Sequence, residues 1–170
     1  MKPYLLGIDI GTSACKVAVF EKSGTVVAAA NGDYPVYYPK EGWAEQDPEE
    51  WWSAVCQAVK KAIQKAGIAP EEIAGIGIDG QSWSAIAMDK DGNVLTNTPI
   101  WMDTRAQFIC DRLNEEIGAE QIFEVSGNSL QPSYTTAKIL WYKENLPEVY
   151  QRIHKILQSN SYIAYKLTGV

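Results

Sequence analysis

The sequence feature that most restricts the fold is a short apolar run near the N-terminus that carries one acidic residue and leads into a tight turn. Residues 5–10 (LLGIDI) are mostly apolar apart from Asp9, and residues 11–13 (GTS) follow directly. A short apolar run of this kind is typical of a buried strand, and glycine next to hydroxyl residues favours a turn. The pattern predicts a strand, a turn and a partner strand over residues 16–20.

The same run carries groups that suit a nucleotide phosphate and its metal ion. Backbone N–H groups of small residues can face an anion, hydroxyl groups add donors, and a carboxylate such as Asp9 can hold Mg²⁺ through water. A plain hairpin turn is the alternative. It accounts for Gly11 and Ser13 but not for an acid on a buried strand. The sequence contains neither G-x-x-x-x-G-K-[ST] nor G-x-G-x-x-G, which excludes Walker-type and dinucleotide-type phosphate sites.

Beyond that run, the spacing of apolar residues predicts strands that alternate with helices. The predicted strands are residues 5–10, 16–20, 25–30, 73–78 and 156–157, and the predicted helices are residues 48–66, 108–117 and 134–145. A turn signal at residues 89–92 lies between two apolar segments, 84–88 and 93–101, and predicts an inserted hairpin. An antiparallel meander followed by helices and strands predicts an α/β domain with a mixed sheet flanked by helices.

Both ends of the first predicted helix are marked in the sequence. Asp47 suits an N-cap, Pro48 suits the first helical position, and Gly67 suits the C-terminal end. Apolar residues recur between these ends at spacings of three and four, which predicts one buried face. That face comprises Trp52, Val55, Cys56, Val59, Ile63 and Ala66.

Composition narrows the class of protein. A chain of 170 residues that is 46% hydrophobic can bury the core of one globular domain. Its net charge of −6 argues against nucleic acid or an anionic membrane as a partner. The three widely spaced cysteines form neither a disulfide framework nor a zinc pattern, and no signal peptide or membrane span is present, so a cytoplasmic location is expected.

Residues 7–16 resemble the first phosphate motif of the actin-like ATPase superfamily. Within that superfamily, four further stretches resemble the FGGY carbohydrate kinases. They are residues 42–52 (GWAEQDPEEWW), 80–81 (GQ), 100–106 (IWMDTRA), and 136–141 (TAKILW) together with the closing 166–169 (KLTG). The matches follow the order of the family and extend over almost the whole chain.

The resemblance implies a ribonuclease-H-like fold in each of two domains, with ATP, Mg²⁺ and a sugar substrate bound in the cleft between them. Residues 1–170 would form most of the N-terminal domain, with the C-terminal domain absent from this chain and the general-base Asp beyond residue 170. Asp9 would organise Mg²⁺. The nucleotide phosphates would be faced by Gly11, Thr12, Ser13 and Lys16. Such a chain alone would fold without phosphorylating sugar, and exposed sheet edge or apolar surface would favour self-association, for example a homodimer.

The resemblance also implies an acceptor site for the sugar. Its residues would be Gln81, Ser82, Trp83, Trp101, Asp103 and Arg105. Each has a structural alternative: Gln81 could cap a strand end, the two tryptophans could be core aromatics, and Asp103 with Arg105 could be a helix N-cap and a solvated charge.

Among the branches of the family, the chain is most similar to the xylulokinases, which implies xylulose or a related ketose as acceptor. It departs from them at residues 82–84 (SWS), where xylulokinases usually have Met-His-Gly, and at Ser161, where many relatives have Asp. Another ketose, a deoxy sugar and an aldonic acid such as gluconate therefore stay open. A non-catalytic nucleotide-binding module on the same fold is the alternative from another class.

Overall fold

The computed structural model describes residues 3–170, which divide into two compact units. The first unit comprises residues 3–36, 47–81 and 159–170, and the second comprises residues 37–46 and 82–158. In chain order the elements are β1 (Tyr4–Ile10), β2 (Ala14–Glu21), β3 (Val26–Asp33), β4 (Glu45–Gln46), α1 (Pro48–Ala66), β5 (Ile73–Gly80), β6 (Ile86–Met88), β7 (Thr98–Pro99), α2 (Gln107–Glu116), α3 (Ala119–Ser126), α4 (Thr135–Asn145), α5 (Pro147–Tyr150), β8 (Lys155–Leu157) and α6 (Ser159–Thr168), with a 3₁₀ turn at Pro70–Glu72.

The first unit is built on a four-stranded mixed sheet in the order β3-β2-β1-β5. Strands β1 to β3 are antiparallel neighbours, and β5 pairs parallel to β1. This arrangement confirms the predicted meander and mixed sheet. Along β1, Leu6, Ile8 and Ile10 are buried, whereas Asp9 between them is only half-buried because successive side chains of a strand point to opposite faces.

Helix α1 begins and ends as predicted. The Asp47 side chain accepts a hydrogen bond from the backbone N–H of Glu49, Pro48 occupies the first helical position, and Gly67 closes the helix in the left-handed conformation. These local signals were sufficient because capping depends on neighbouring residues alone.

The buried face of α1 differs from the prediction. Apart from Pro48 at its start, its buried residues are Trp51, Ala54, Val55, Ala58 and Ala62. Of the predicted face, Val55 alone is buried, so most of the predicted stripe is displaced by one residue. Close approach to the sheet explains the difference, since a Cβ on Gly32 would lie 2.7 Å from the Ala54 carbonyl oxygen. Small alanines fit that contact, while bulky Val59 and Ile63 lie at its margin.

The second unit packs its helices around a core of small and aromatic side chains. The buried cluster comprises Ala85, Ala87, Ala106, Ile109, Cys110, Ala137, Trp141 and Tyr142. Helices α2 and α4 confirm two predictions, and β8 confirms the predicted last strand. Helices α3, α5 and α6 were not predicted, and α3 buries no residue.

The predicted hairpin over residues 84–101 forms only next to its turn. The Asp89 N–H donates to the Asn93 carbonyl at 3.0 Å, Met88 and Val94 form an isolated antiparallel bridge, and the Leu95 N–H donates to the Ala87 carbonyl at 2.9 Å. Strand β6 pairs instead with β8, and β7 pairs with β4. Because β6 is fully buried, its partner is chosen by packing rather than by the adjacent turn. None of the helices in residues 3–170 combines the length and apolar composition that a membrane crossing requires.

Candidate functional site

Four polar residues of the first unit, one on each strand of its sheet, are partners in the strand register. Asp9 is the register partner of Lys16 on β2 and of Asp79 on β5, and Lys16 is the partner of Asn31 on β3. Because paired residues point to the same face, this polar row lies on the face opposite Ile8. All four residues line a cavity of about 680 Å³. The cavity brings two carboxylates and one ammonium group into an otherwise largely apolar lining, and this set of charges suits a metal–phosphate ligand.

The turn between β1 and β2 places backbone groups beside this row. The Gly11 N–H donates to the carbonyl of Ala14 at 3.1 Å, which closes the turn. A Cβ on residue 11 would lie 2.9 Å from that same oxygen, so the turn requires glycine here. Ser13 is exposed and Thr12 half-buried. The structure therefore brings Asp9, the turn and Lys16 together in one hairpin.

Tyr34 holds this turn from outside the hairpin, and sequence reasoning missed it. Its hydroxyl donates to the Gly11 carbonyl at 2.6 Å, and its backbone N–H donates to the Ser13 carbonyl at 3.2 Å. Its ring lies 6.4 Å from that of Trp51. Burial raises the pKa of Tyr34 far above its ordinary value, so the hydroxyl keeps its proton and remains a donor. The only available signal was an aromatic residue immediately after β3.

Replacement Tyr34→Phe tests this role. We expect the free energy of unfolding to fall by about 0.5–1.5 kcal/mol, because one buried side-chain hydrogen bond is lost. Amide hydrogen exchange over residues 11–15 should accelerate in the same variant. Urea denaturation and exchange mass spectrometry measure both effects. Tyr38→Phe, which alters an exposed ring, is the control and should change neither. Unchanged exchange in Tyr34→Phe would show that the turn does not depend on the hydroxyl.

Gln81 extends the pairing of β1 and β5. Its N–H donates to the Ile10 carbonyl at 2.8 Å, and its side-chain Nε2 reaches the Gly11 carbonyl at 3.5 Å. Its own carbonyl accepts from the Ser159 hydroxyl at 2.8 Å. The side chain therefore belongs to the surroundings of the turn, in keeping with the strand-end alternative, and its contact with a sugar stays a prediction.

Two tryptophans of the second unit are surface residues rather than core aromatics. Trp83 is 42% exposed and Trp101 is 44% exposed. Trp83 has a φ of 64°, the only positive φ of a non-glycine residue in the described part of the chain. This conformation costs roughly 1–2 kcal/mol. Its ring is supported by Tyr134, with 4.8 Å between centroids. The core alternative is wrong for both tryptophans; the neighbouring Ser82 is also exposed.

Asp103 and Arg105 form a buried ion pair. The two oxygens of Asp103 accept from Arg105 Nε at 2.9 Å and Nη2 at 2.8 Å, and Oδ2 also accepts from the Ala44 N–H at 2.7 Å. Arg105 Nη2 donates further to Glu45 Oε1 at 2.7 Å. The solvated-charge alternative for Arg105 is therefore wrong. A helix N-cap role for Asp103 is wrong as well, since α2 is preceded by Ala106.

The surroundings of Arg105 keep it charged. Burial opposes the charge, but hydrogen bonds and ion pairs with Asp103 and Glu45 outweigh it and hold the pKa of the guanidinium above its ordinary value. The guanidinium carbon also lies 3.8 Å from the ring centroid of Trp43 and 4.9 Å from that of Trp141. In this conformation the pair joins the 37–46 segment to residues 103–105. Contact of either side chain with a sugar stays a prediction.

A second cavity, of about 500 Å³, adjoins Trp83. Its wall comprises the apolar or aromatic Trp83, Leu113, Ile117, Ile122, Leu130 and Tyr134 and the neutral polar Ser126, Asn128, Ser129, Thr135 and Thr136. No charged side chain stands among these lining residues. Aromatic faces with a few hydroxyl and amide groups suit a neutral ligand better than an anionic one.

Within residues 3–170, no group of three or more His, Cys, Asp or Glu side chains forms a metal site by itself. Mg²⁺ commonly binds through one or two carboxylates completed by waters and substrate phosphates. Asp9, beside Lys16 and the Gly11 turn, fits that kind of shared site. The donor set is therefore compatible with Mg²⁺ carried by a nucleotide.

Known proteins resemble this chain over nearly its whole length. Residues 4–170 match the profile of the N-terminal domain of the FGGY family of carbohydrate kinases. Xylulose kinase of Bacillus subtilis (strain 168) is 32% identical over 167 residues, which cover 98% of this chain and 33% of that protein. This chain therefore spans about a third of the length of the curated relatives it matches.

Solved structures show the same likeness. Gluconate kinase from Lactobacillus acidophilus superposes with a TM-score of 0.90 at 32% identity, over 98% of this chain and 33% of that one. Plasmodium falciparum glycerol kinase with ADP gives a TM-score of 0.89 at 25% identity, over 98% and 34%. These similarities confirm the expected actin-like α/β fold.

Proposed function

Because this chain belongs to the FGGY family of carbohydrate kinases, we propose that it is the phosphate- and acceptor-binding part of an enzyme that transfers a phosphoryl group from ATP to a sugar hydroxyl. The observation that carries the proposal is the polar row of Asp9 and Lys16 beside the glycine-dependent turn. In such a transfer the protein mainly positions the reactants and neutralises charge.

Each part of the turn has a role in this proposal. Asp9 holds Mg²⁺ through water, and the backbone of residues 11–13 with the Thr12 and Ser13 hydroxyls faces the nucleotide phosphates. Lys16 adds a positive charge at the same level of the sheet. Mg²⁺, when bound, neutralises developing charge on the phosphoryl oxygens. Tyr34 keeps the turn in shape through the Gly11 carbonyl.

The acceptor side rests on Trp83 and the cavity beside it. The exposed indole, stacked on Tyr134, offers a flat apolar surface on which the C–H face of a sugar ring or chain can pack. The lining of that cavity carries no cation for a carboxylate. We therefore propose a neutral acceptor, a ketose such as xylulose or a deoxy sugar, ahead of an aldonic acid such as gluconate. Ser82 and Trp101, which belong to the same unit as Trp83, complete the proposed site.

Relatives are about three times as long as this chain, and the general base, the adenine pocket and the second domain are proposed to lie outside residues 1–170.

A reducing cytoplasm is the proposed location, in keeping with three free cysteines, of which Cys15 and Cys110 are buried. Burial raises the pKa of both thiols, which disfavours the reactive thiolate.

The test uses the longest polypeptide that carries these residues. ADP release is measured with Mg-ATP and a panel of pentuloses, deoxy sugars and hexonates. Turnover with one neutral sugar class is expected, and Trp83→His should change the ratios of kcat/KM among the sugars. A uniform loss across the panel would count against a role of Trp83 in selectivity. Thermal stabilisation by Mg-ATP without a response to any sugar would favour a non-catalytic nucleotide-binding module instead.

A further inference from the structure

Side chains of α4 hold the backbone that carries Trp83. Three consecutive carbonyls, of residues 83 to 85, each accept a hydrogen bond from this one helix. The bonds are Lys138 Nζ to the Trp83 oxygen at 2.8 Å, Thr135 Oγ1 to the Ser84 oxygen at 3.2 Å, and Tyr142 OH to the Ala85 oxygen at 2.9 Å. Residues 83–85 directly precede β6. Side chains of α4 supply the hydrogen-bond donors that a neighbouring strand would otherwise supply to these carbonyls.

Lys138 makes a second bond that extends this support to the other exposed tryptophan. Its amine donates to the Ile100 carbonyl at 2.7 Å, and Ile100 directly precedes Trp101. The side chain of Lys138 is fully buried, which is unusual for lysine. A single buried amine therefore links the backbones at Trp83 and at Trp101.

The amine has the hydrogens that this arrangement needs in either protonation state. Burial, partly offset by the nearby Asp103 and reinforced by Arg105, lowers the pKa of Lys138 to about 7. A neutral amine has two N–H groups and a charged one has three. Two carbonyl acceptors are present, so both bonds persist whether or not the proton is lost.

The conformation of Trp83 explains why such support matters. With a φ of 64°, this residue lies where side chains other than glycine are strained, and such a conformation persists only when its surroundings enforce it. Tyr134, which precedes Lys138 by four residues, packs its ring on the indole, while Lys138 binds the carbonyl. The start of α4 thus holds both the side chain and the backbone of Trp83.

We propose that Lys138 is a positioning residue of the acceptor site, whose amine sets the placement of Trp83 and Trp101 by binding the Trp83 and Ile100 carbonyls. The role in acceptor binding rests on the function proposed above. A lysine that served stability alone would give the same bonds, so the test needs a readout that general destabilisation does not change.

The first measurement uses the 170-residue chain and does not depend on activity. Hydroxyl-radical footprinting read by mass spectrometry reports the accessibility of individual tryptophans. Lys138→Met should change the reactivity of Trp83 and Trp101 about twofold or more, while Trp51 stays as in the wild type. Ile109→Ala, which truncates a buried residue of the same unit, is the control for lost stability. An equal response of both tryptophans in Lys138→Met and Ile109→Ala would overturn the proposal.

The second measurement uses the longest polypeptide and sugar-dependent ADP release. Lys138→Met should lower kcat/KM for the sugar by roughly 10–100-fold with the KM for ATP unchanged, since small misplacements in a site are costly. Lys138→Gln, which keeps two N–H groups on a shorter side chain, should show a smaller loss of kcat/KM for the sugar. This variant replaces Lys138→Met in the test if the methionine variant does not fold. Equal losses for sugar and ATP would contradict a positioning role.

The two measurements separate this inference from the proposed function. If the wild-type polypeptide phosphorylates no sugar, the proposed function fails, and footprinting still decides whether Lys138 places the two tryptophans. If turnover is present but Lys138→Met matches Ile109→Ala in footprinting and loses as much for ATP as for the sugar, the positioning role fails and the kinase proposal is unaffected.

Discussion

Asp9→Asn is expected to lower the turnover of the longest polypeptide carrying this chain by about 10²-fold or more, while leaving its stability nearly unchanged. Metal organisation is worth several kcal/mol in such a transfer, and each 1.36 kcal/mol corresponds to about tenfold in rate. The amide of asparagine has the shape of the carboxylate but lacks its charge. Asp9 is half-buried on the face opposite Ile8, so its packing contribution is small.

Steady-state ADP release at varied Mg²⁺ measures the effect, with urea denaturation as the stability readout. The Mg²⁺ concentration needed for half-maximal rate should rise in the variant. Asp91→Asn, which neutralises an exposed carboxylate of the second unit, is the charge-matched control and should keep wild-type activity. Wild-type turnover in Asp9→Asn would remove the metal role from this residue.

Asp103→Ala is expected to destabilise the chain by about 3–5 kcal/mol, the largest stability effect that we predict. Removal of one partner from a buried ion pair leaves the other charge uncompensated. Here Arg105, whose side chain is 3% exposed, would keep only Glu45, and the Ala44 N–H would lose its acceptor. Most domains are stable by only about 5–15 kcal/mol, so the variant should be near the limit of folding.

Urea denaturation of the 170-residue chain measures this loss. Replacing both partners at once, as Asp103→Leu with Arg105→Met, should recover much of the stability, because a well-packed apolar pair can replace a buried ion pair. Glu144→Gln disrupts the exposed ion pair with Arg112 and should shift the unfolding midpoint far less. A loss below about 1 kcal/mol in Asp103→Ala would mean that Arg105 is hydrated when its partner is removed.

The correct predictions depended on residues close together in sequence. The turn at Gly11, the meander and the two ends of α1 follow from backbone freedom, capping and alternation, which act within a few residues. The wrong ones needed distant information. The partner of β6 is β8, about seventy residues onward, and no local turn signal encodes that choice.

The residues of the candidate sites that could be predicted are likewise close together in sequence. Asp9, Lys16 and the turn between them could be grouped from the sequence because one hairpin holds them. Tyr34 and Lys138 were missed as functional candidates, since each acts on carbonyls that lie 23 to 55 residues away in the chain. Every residue has a backbone carbonyl, so the sequence does not indicate which carbonyl a distant side chain will bind.

The sequence by itself determined the type of fold, the turn between β1 and β2 and the family, because these depend on short motifs with local physical causes. Only the tertiary structure decided that Trp83 and Trp101 are exposed, that Asp103 and Arg105 are buried as a pair, and that one lysine joins the two tryptophan segments. The reason is physical: burial and pairing are set by which distant segments pack together, and the same residue types suit either the core or the surface until that packing is known.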